Sequence, residues 1–371
     1  MFKKTTEEKV LRDPVHGYIH VDLQVVWDVI NSSWFQRLRR IRQLGGAYVV
    51  YHCAEHSRFG HSLGVYELVR RMVSEVQDIS NALNEREKVT AMLAGLLHDI
   101  GHGPYSHAFE GVTKTSHEEF TCRIIEENTE ITRILEDCCE GLSKDVADVI
   151  RHESSNPLLS QLISSQLDAD RFDYLLRDAY FTGTKYGEYD LERILRTMRV
   201  HDGKQLVIKE SGVYAVENYI MARYHMYWQV YYHPVARSYE TVLHLLFKRL
   251  KDLGNENADE HVISLFEPII SDLAIRIRDR ILFEYQDSQP NENRKIRNTL
   301  KKNGYDLHYY WAKDEVAQSP YVPYSGSGTG SIWVRMKDGS TKELSNASNI
   351  VYSLIHGPEK DDNKVYFPKV E

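Results

Sequence analysis

Apolar residues recur with a helical period through most of the first 250 positions of the chain. In residues 58–76 they return at steps of three and four, which places them on one stripe of a helix. Residues 87–97 are almost all apolar and predict the end of a helix, which Gly101, Gly103 and Pro104 terminate. Further helices are predicted over residues 115–127, 158–178, 191–200 and 216–250. The pattern therefore predicts a mainly helical body.

Polar segments replace this pattern after about residue 250. Residues 252–261 and 284–295 are rich in Asn, Asp, Glu and Gln and are interpreted as loops. Residues 331–344 resemble a hairpin that turns at Asp338 and Gly339. A smaller region of mixed α+β structure is therefore expected behind the helical body.

The glycine-rich run at residues 325–330 lacks the lysine of a phosphate-binding loop and is interpreted as a flexible connector. With the change of pattern near residue 250, we expect two regions. Residues 1–250 are predicted to form the helical domain, and residues 251–371 are predicted to form the C-terminal α+β region.

Composition and charge narrow the class of protein. Hydrophobic residues make up 42% and charged residues 27% of the 371 positions, which is typical of a globular protein with a sizeable core. The net charge is -8, so general attraction to nucleic acid or to an anionic membrane is not expected. Any phosphate group must then be bound by a local cluster of basic side chains.

The cysteines and the N-terminus indicate a cytoplasmic protein. Cys53, Cys122, Cys138 and Cys139 show no CxxC spacing, and two of them are adjacent, so reduced thiols are expected. Residues 1–10 contain no apolar stretch of the kind found in signal peptides, and no run approaches the roughly 18 apolar residues of a membrane span. We therefore expect no membrane partner.

Imidazoles and carboxylates are concentrated directly after the apolar helix end. Polar groups at a buried edge need partners, and one divalent cation satisfies several of them at once. A site with two imidazoles and two carboxylates leaves positions open for water and a phosphate oxygen, which is typical of catalytic rather than structural sites. A polar network that caps the helix without metal is the alternative. The concentrated residues are His98, Asp99, His102, His107, Glu110, His117, Glu118 and Glu119.

These residues form a pattern that resembles the HD-domain metal phosphohydrolases, and within them the deoxynucleoside triphosphate triphosphohydrolases. This group contains the animal SAM- and HD-domain protein and its bacterial relatives. The resemblance covers roughly residues 8–240. The segments that carry it are RDPVHGYIHVD at 12–22, FQRLRRIRQLGG at 35–46, EHSRFGHSLGVYE at 55–67, AGLLHDIGHGPYSHAFEG at 94–111 and DADRFDYLLRD at 168–178.

The resemblance implies a divalent metal ion and a set of catalytic residues. The metal, which is Mg, Mn, Fe or Zn, would be held by His61, His98, Asp99 and Asp170. His117 would be the catalytic histidine near the α-phosphate. Its partners in this role would be Glu110, which supports it where the animal enzyme has an aspartate, and His102 and His107, which would line the phosphate channel.

The resemblance also implies a binding site for a deoxynucleoside triphosphate. Arginines suit a triphosphate because they make forked contacts, although each could instead form a surface ion pair. Tyr231 would lie where a ribose 2′-hydroxyl would sit and exclude ribonucleotides; packing in the core is the alternative for the tyrosines. Tyr227 replaces a histidine of the animal enzyme. The substrate-binding residues implied are Gln43, Leu44, Arg58, Arg171, Tyr174, Asp178, Arg223 and Tyr231.

An activating nucleotide and a homotetramer are further implications. Animal members are activated by guanine nucleotides bound between subunits of a tetramer, which would make the N-terminal segment regulatory. Asn31 replaces the aspartate that reads guanine, and an amide oxygen alone cannot accept both guanine N–H groups, so the identity of the nucleotide stays open. A basic helix at a subunit contact is the alternative. The corresponding residues are Lys9, Val10, Asn31, Gln36 and Arg39.

The function expected is metal-dependent hydrolysis of deoxynucleoside triphosphates to deoxynucleoside and inorganic triphosphate. Two alternatives remain. One is an HD phosphatase acting on nucleoside monophosphates, cyclic nucleotides or a guanosine alarmone. The other is a catalytically idle nucleotide sensor or nucleic-acid-binding assembly that keeps the fold for ligand-controlled assembly.

Overall fold

The structure, a computed structural model, describes residues 2–105, 110, 114–255, 268–317, 321–322, 331–357 and 361–370. The predicted connector at residues 325–330 lies outside these ranges. Helices dominate the described chain, and a smaller amount of sheet lies toward its C-terminus, so the expected fold class is confirmed. Within the described ranges, no helix is both long enough and apolar enough to cross a membrane.

The helices follow one another through most of the chain. They are α1 Gln24–Asn31, α2 Ser33–Arg37, α3 Arg58–Glu75, α4 Gln77–Ala82, α5 Glu85–Leu97, α6 His117–Glu126, α7 Glu130–Cys138, α8 Leu142–Ile150, α9 Pro157–Ile163, α10 Ala169–Thr182, α11 Leu191–Thr197, α12 Val213–Met226, α13 Pro234–Asn255, α14 Pro268–Arg278, α15 Pro290–Lys302, α16 Leu307–Tyr310, α17 Leu344–Ala347 and α18 Asn349–His356. Short 3-10 turns cover Leu38–Arg40, Ala47–Val49 and Glu210–Gly212, and a π-helical turn covers Tyr227–Tyr231.

The described residues also form three sheets. A hairpin of β1 and β2 opens the chain, a four-stranded sheet has the order β3-β4-β7-β8, and a three-stranded sheet has the order β5-β9-β6. The strands are β1 Lys4–Asp13, β2 Gly17–Leu23, β3 Met198–His201, β4 Gln205–Lys209, β5 Glu284–Asp287, β6 Ala312–Ala317, β7 Trp333–Arg335, β8 Thr341–Glu343 and β9 Asp361–Phe367.

Helix α3 is the centre of the helical body and packs against α5 and α10. Its residues are buried on nearly every side, as expected for a helix enclosed by neighbours. Helix α5 begins with a capping box between Asn84 and Glu87 and runs through apolar residues to His98. A Cβ at Gly101 would lie 2.2 Å from the carbonyl oxygen of His117, so the chain after α5 passes directly against the start of α6.

Two helices predicted as continuous are divided in the structure. The prediction over residues 158–178 is wrong at its middle, because α9 ends at Ile163 and Asp168 begins α10 as an N-cap that accepts from Arg171 N. The prediction over residues 216–250 is wrong for a different reason. Pro234 starts a new helix after the π-helical turn, since proline cannot continue the previous one.

The segments after residue 250 contain both a confirmed and a wrong prediction. The hairpin is confirmed, because β7 and β8 pair antiparallel and Gly339 adopts φ +87° in the turn. The loop expected at residues 284–295 is wrong. It contains β5 and the first residues of α15, because strand pairing to β9 and Pro290 at the helix start outweigh the polar composition.

The described part of the chain after residue 250 contributes to the main hydrophobic core and to two smaller ones, one of which contains Leu300, Val365 and Phe367. Strand β7 pairs parallel with β4, and Ile332, Val334, Leu344 and Val351 join the main hydrophobic core. Helices α13, α14 and α16 instead enclose a separate small core with β9. The domain boundary between residues 250 and 251 stays a prediction.

Candidate metal and substrate site

The four predicted metal ligands meet where α3, α5 and α10 converge. His61 lies on the first turn of α3, His98 and Asp99 follow α5, and Asp170 lies on the first turn of α10. His61 Nε2 is 3.1 Å from Asp170 Oδ1 and 3.7 Å from Asp99 Oδ2, and His98 Nε2 is 3.4 Å from Asp99 Oδ1. The Asp170 side chain is 31% exposed, whereas the other three are at most 12% exposed. The cluster is therefore open on the side of Asp170.

The two imidazoles are oriented as metal ligands would be. His61 Nδ1 lies 2.8 Å from Asp173 Oδ2, and His98 Nδ1 lies 2.8 Å from the carbonyl oxygen of Gly95. These contacts place a proton on each Nδ1 and leave the lone pair of each Nε2 directed into the cluster. Both Nε2 atoms are buried without a hydrogen-bond partner. The donor set therefore fits a divalent cation.

The charge of the cluster supports the same conclusion. Burial lowers the pKa of His61, but the adjacent carboxylates of Asp170 and Asp173 outweigh this effect and raise the pKa to about 10. Burial opposes ionisation of Asp99, yet the neighbouring Arg58 and His98 hold its pKa well below the usual range. The carboxylates thus require positive charge beside them, which a bound cation would supply in place of protons.

The predicted proton-transfer residues lie next to this cluster. Glu110 Oε1 is 2.7 Å from His117 Nδ1 and accepts from the His117 backbone N–H at 2.9 Å. The ring of His102 stacks on that of His117 at 3.8 Å, and His102 Nε2 is 3.4 Å from Asp99 Oδ1. Asp99, His102 and His117 form a second group of side chains with spacing suitable for a cation. His107 lies outside the described residues.

The three predicted arginines differ in their surroundings. Arg58 is buried and bonds to Asp99, so it belongs to the metal cluster. Arg171 bonds to Asp168, which lies at the N-cap of its own helix. Arg223 is 8% exposed, lies over the ring of Tyr227 at 5.6 Å, and has no carboxylate partner among the described residues. Its Nε and that of Arg171 are buried without hydrogen-bond partners.

The residues predicted to contact the sugar are partly brought together. Tyr231 donates to Asp178 Oδ2 at 2.7 Å, and its ring lies 6.1 Å from that of Tyr174. Burial and the nearby Asp178 raise the pKa of Tyr231 well above its ordinary value, so the hydroxyl remains a donor. Gln43 has a buried Oε1 without a hydrogen-bond partner, and Leu44 is half-buried against the main core.

The residues predicted to bind an activator lie on β1, α1, α2 and the 3-10 turn after α2. Lys9 is 6.0 Å from the ring of Trp27, and Val10 is exposed on the same strand. Asn31 donates to the carbonyl oxygen of Trp27, Gln36 donates to that of Ile30, and Arg39 donates to Gln36 Oε1. The five predicted residues are Lys9, Val10, Asn31, Gln36 and Arg39.

Several residues at the site were not identified from the sequence. Asp173 and Arg177 lie behind His61 and contact Asp13 and His16, while His56 contacts Asp178. All five belong to the segments that carry the family resemblance. The sequence shows only that each of them is a polar or charged residue within a motif, and this does not reveal which residue it contacts in the fold.

Comparisons with known proteins agree with this geometry. Residues 58–178 match the HD domain family, and residues 189–283 match the HD associated region. The protein YwfO of Bacillus subtilis is 44% identical, with 99% of this chain and 93% of that protein aligned. The crystal structure of a phosphohydrolase from Bacteroides thetaiotaomicron covers 98% of this chain and 100% of its own, with 28% identity and a TM-score of 0.84.

A more distant relative has an activity in its name. The deoxynucleoside triphosphate triphosphohydrolase SAMHD1 homolog of Dictyostelium discoideum is 30% identical over 65% of this chain, which spans 49% of that protein. The match over nearly the full length of YwfO, the two family regions and the buried His–Asp cluster lead to one assignment. The chain belongs to the HD-domain phosphohydrolase family and is a homologue of the deoxynucleoside triphosphate triphosphohydrolases.

Proposed function

We propose that this protein hydrolyses deoxynucleoside triphosphates to deoxynucleoside and inorganic triphosphate. The observation that carries the proposal is the spacing of Asp170, Tyr174 and Asp178 on α10. Steps of four residues place these side chains on one face of the helix, spanning roughly 12 Å at 1.5 Å per residue. One helix face thus offers a metal ligand at one end and a hydrogen-bonding carboxylate at the other, on the scale of a nucleotide.

A bound divalent cation would neutralise the charge that develops on the phosphoryl oxygens. The residues to hold it are His61, His98, Asp99 and Asp170. In the proposed reaction, water attacks the α-phosphorus and gives up a proton, and the bond from the α-phosphorus to the 5′-oxygen breaks. The 5′-oxygen leaves as the deoxynucleoside hydroxyl after it gains a proton, and the phosphates are released as inorganic triphosphate.

His117 is the proposed donor of that proton. Glu110 accepts from both the backbone N–H and Nδ1 of His117, which fixes the ring and leaves Nε2 for proton transfer. Burial lowers the pKa of His102 to about 3 against the opposing effect of Asp99, so the ring that stacks on His117 stays neutral. A neutral neighbour does not repel the positive charge of His117 when it carries both protons.

Arg223 and Arg171 supply the charge for a triphosphate in this proposal. The buried guanidinium of Arg223 has no carboxylate partner among the described residues, which is costly, and an anionic ligand would compensate its charge. Tyr231 would then close the sugar site beside Asp178, with Gln43 and Leu44 near the ribose. The half-buried Tyr231 ring would leave little space for a 2′-hydroxyl, which favours deoxyribonucleotides.

The test is product analysis with the full chain. Purified protein is incubated with Mn²⁺ or Mg²⁺ and each of the four deoxynucleoside triphosphates, alone and in pairs, and products are separated by chromatography. We expect deoxynucleoside and inorganic triphosphate in equal amounts. The Asp99→Asn variant, which loses a proposed metal ligand, serves as the control for contaminating phosphatases. Release of only orthophosphate or pyrophosphate would favour the alternative phosphatase, and no turnover with any pair would favour a nucleotide sensor.

Regulation and assembly are part of the same proposal. Lys9, Val10, Asn31, Gln36 and Arg39 would bind an activating nucleotide at a contact between subunits of a cytoplasmic homotetramer. The contacts of Lys9 and Asn31 with Trp27, and that of Gln36 with Arg39, support this assignment. Light scattering with and without each nucleotide measures the assembly, and a monomer that is fully active without a second nucleotide would contradict it.

A further inference from the structure

A fully buried carboxylate, Asp173, lies directly behind the metal cluster. Its Oδ2 is 2.8 Å from His61 Nδ1 and accepts from Arg177 Nε at 2.8 Å. Its Oδ1 is 2.7 Å from His16 Nε2 and accepts from Arg177 Nη2 at 2.9 Å. Both oxygens are therefore held in place by surrounding donors.

The same carboxylate is connected to the N-terminal hairpin. Arg177 Nη1 donates to Asp13 Oδ2 at 2.8 Å and Nη2 donates to Asp13 Oδ1 at 3.2 Å. Asp13 ends β1, and its Oδ1 also accepts from the backbone N–H groups of Val15 and His16 at 2.9 Å each. One aspartate thus shapes the turn between β1 and β2 and contacts the arginine that binds Asp173. We call Asp13, His16, His61, Asp173 and Arg177 the Asp173 cluster.

The packing leaves the Asp173 cluster no room to rearrange. A Cβ at Gly64 would lie 1.8 Å from Asp173 Oδ1 and 2.6 Å from Arg177 Nη2. The Arg177 side chain is 2% exposed and that of His16 is 5% exposed, so water cannot replace a lost contact easily. Displacement of one member must therefore move another.

We propose that Asp173 is a positioning residue for the metal ligand His61, and that the β1–β2 hairpin sets the position of Asp173 through Asp13, His16 and Arg177. A carboxylate that accepts from one imidazole nitrogen fixes the tautomer and the ring orientation, which directs the other nitrogen to a metal. The packing of the β1–β2 hairpin against α10 and the affinity for a divalent cation are consequently coupled. The inference rests on the proposed metal site and not on the identity of the substrate.

The first test compares Mn²⁺ affinity among variants of the full chain by titration calorimetry, without any nucleotide. We expect Arg177→Lys and Asp13→Asn to weaken Mn²⁺ binding roughly 10- to 100-fold, as changes behind metal ligands generally do. The control is Arg237→Lys, which breaks another forked contact, from Arg237 to Asp314 at 2.8 and 2.6 Å, far along the chain. It should lower thermal stability without changing Mn²⁺ affinity. Wild-type affinity in folded Arg177→Lys, or equal weakening in Arg237→Lys, would overturn the proposal.

The second test needs no substitution, so it answers the question even if the variants do not fold. Thermodynamic coupling between two equilibria is reciprocal. If packing of the hairpin favours Mn²⁺ binding, Mn²⁺ must in turn stabilise the packed hairpin. We expect slower hydrogen exchange in residues 4–23 when Mn²⁺ is added to the wild-type chain. Unchanged exchange there, under saturating Mn²⁺, would refute the coupling. Both readouts are independent of turnover, so absence of deoxynucleotide hydrolysis would reject the proposed function while leaving this inference intact.

Discussion

Tyr231 donates a hydrogen bond to Asp178 across the 2.7 Å between its hydroxyl and Oδ2. The second oxygen of Asp178 is 2.7 Å from His56 Nε2, and the His56 ring stacks on Phe181. With both oxygens engaged and only 1% exposure, Asp178 has a fixed position, and so does the tyrosine that it binds. The hydrogen bond therefore holds the Tyr231 ring in place, which suits its proposed role as a wall of the sugar site.

Removal of that wall should admit ribonucleotides. In Tyr231→Ala, we expect the ratio of kcat/KM for deoxyribonucleotide over ribonucleotide to fall roughly 10- to 200-fold, because exclusion by shape is worth a few kcal/mol at most. Tyr231→Phe is the matched control, since it keeps the ring and loses only the hydroxyl. It should retain most of the discrimination. Steady-state turnover of paired substrates measures both, and an unchanged ratio in Tyr231→Ala would contradict the assignment.

Loss of the proton donor should slow the chemical step without affecting metal binding. We expect His117→Gln to lower kcat roughly 10²- to 10⁴-fold, the usual range for general acid catalysis. Glu110→Gln keeps an acceptor beside His117 Nδ1 but loses the negative charge. Its kcat should therefore lie between that of the wild type and that of His117→Gln. Calorimetry with Mn²⁺ provides the control measurement. If Mn²⁺ affinity fell in parallel with kcat in both variants, these residues would be metal ligands instead.

The sequence predicts best where one helix face or one short segment carries the information. The apolar stripe of α3 and the density of His and Asp after α5 are visible locally, and the structure brings His61, His98, Asp99 and Asp170 together. The break before α10 was missed because Asp168 acts as an N-cap only in its folded surroundings.

The partners of Asp173 could not be predicted for a different reason. Arg177 contacts Asp13 across 164 positions, and no local period reports a pairing at that distance. Asp173 itself follows Asp170 by three residues on α10, so the two carboxylates share a helical neighbourhood. Only the packing of the N-terminal hairpin in the folded chain distinguishes Asp173, which lies behind His61, from Asp170, which lies on the open side of the cluster.

A metal ion bound by the predicted ligands His61, His98, Asp99 and Asp170 should stabilise the fold. A ligand present at 100 times its Kd stabilises the folded state by about 2.7 kcal/mol. We expect Mn²⁺ to raise the free energy of unfolding of the wild type by this amount and to have no effect on His98→Ala. His356→Ala, at the exposed end of α18, should respond like the wild type. Urea unfolding with Mn²⁺ or with chelator measures the difference, and an equal response in His98→Ala would exclude the proposed ligand.

A single methyl group behind the metal cluster should be destabilising. Gly64→Ala places a Cβ 1.8 Å from Asp173 Oδ1, so the buried ion pairs must shift. Overpacking of this kind costs about 1–3 kcal/mol. Gly254→Ala is the matched control, because no atom of the described residues lies within 4 Å of the position that its Cβ would take near the end of α13. It should be neutral or slightly stabilising. Urea unfolding in the presence of chelator measures the free energy of unfolding of both variants. Equal values would show that the side chains around Asp173 can accommodate the added methyl group without loss of stability.

Arg223 should be important for substrate and unimportant for stability. The guanidinium is buried over Tyr227 without a carboxylate partner in the described chain, so its replacement by an apolar side chain removes an uncompensated charge. We expect Arg223→Met to lower kcat/KM for deoxynucleoside triphosphates roughly 10- to 100-fold, since hydrogen bonds to charged groups contribute about 1.5–3 kcal/mol. Its free energy of unfolding should stay level or rise. Arg177→Met, which breaks buried contacts to Asp173 and Asp13, should lose about 3–5 kcal/mol of stability. Comparable destabilisation in Arg223→Met and Arg177→Met would contradict this prediction, because it would mean that Arg223 stabilises the fold in the absence of an anionic ligand.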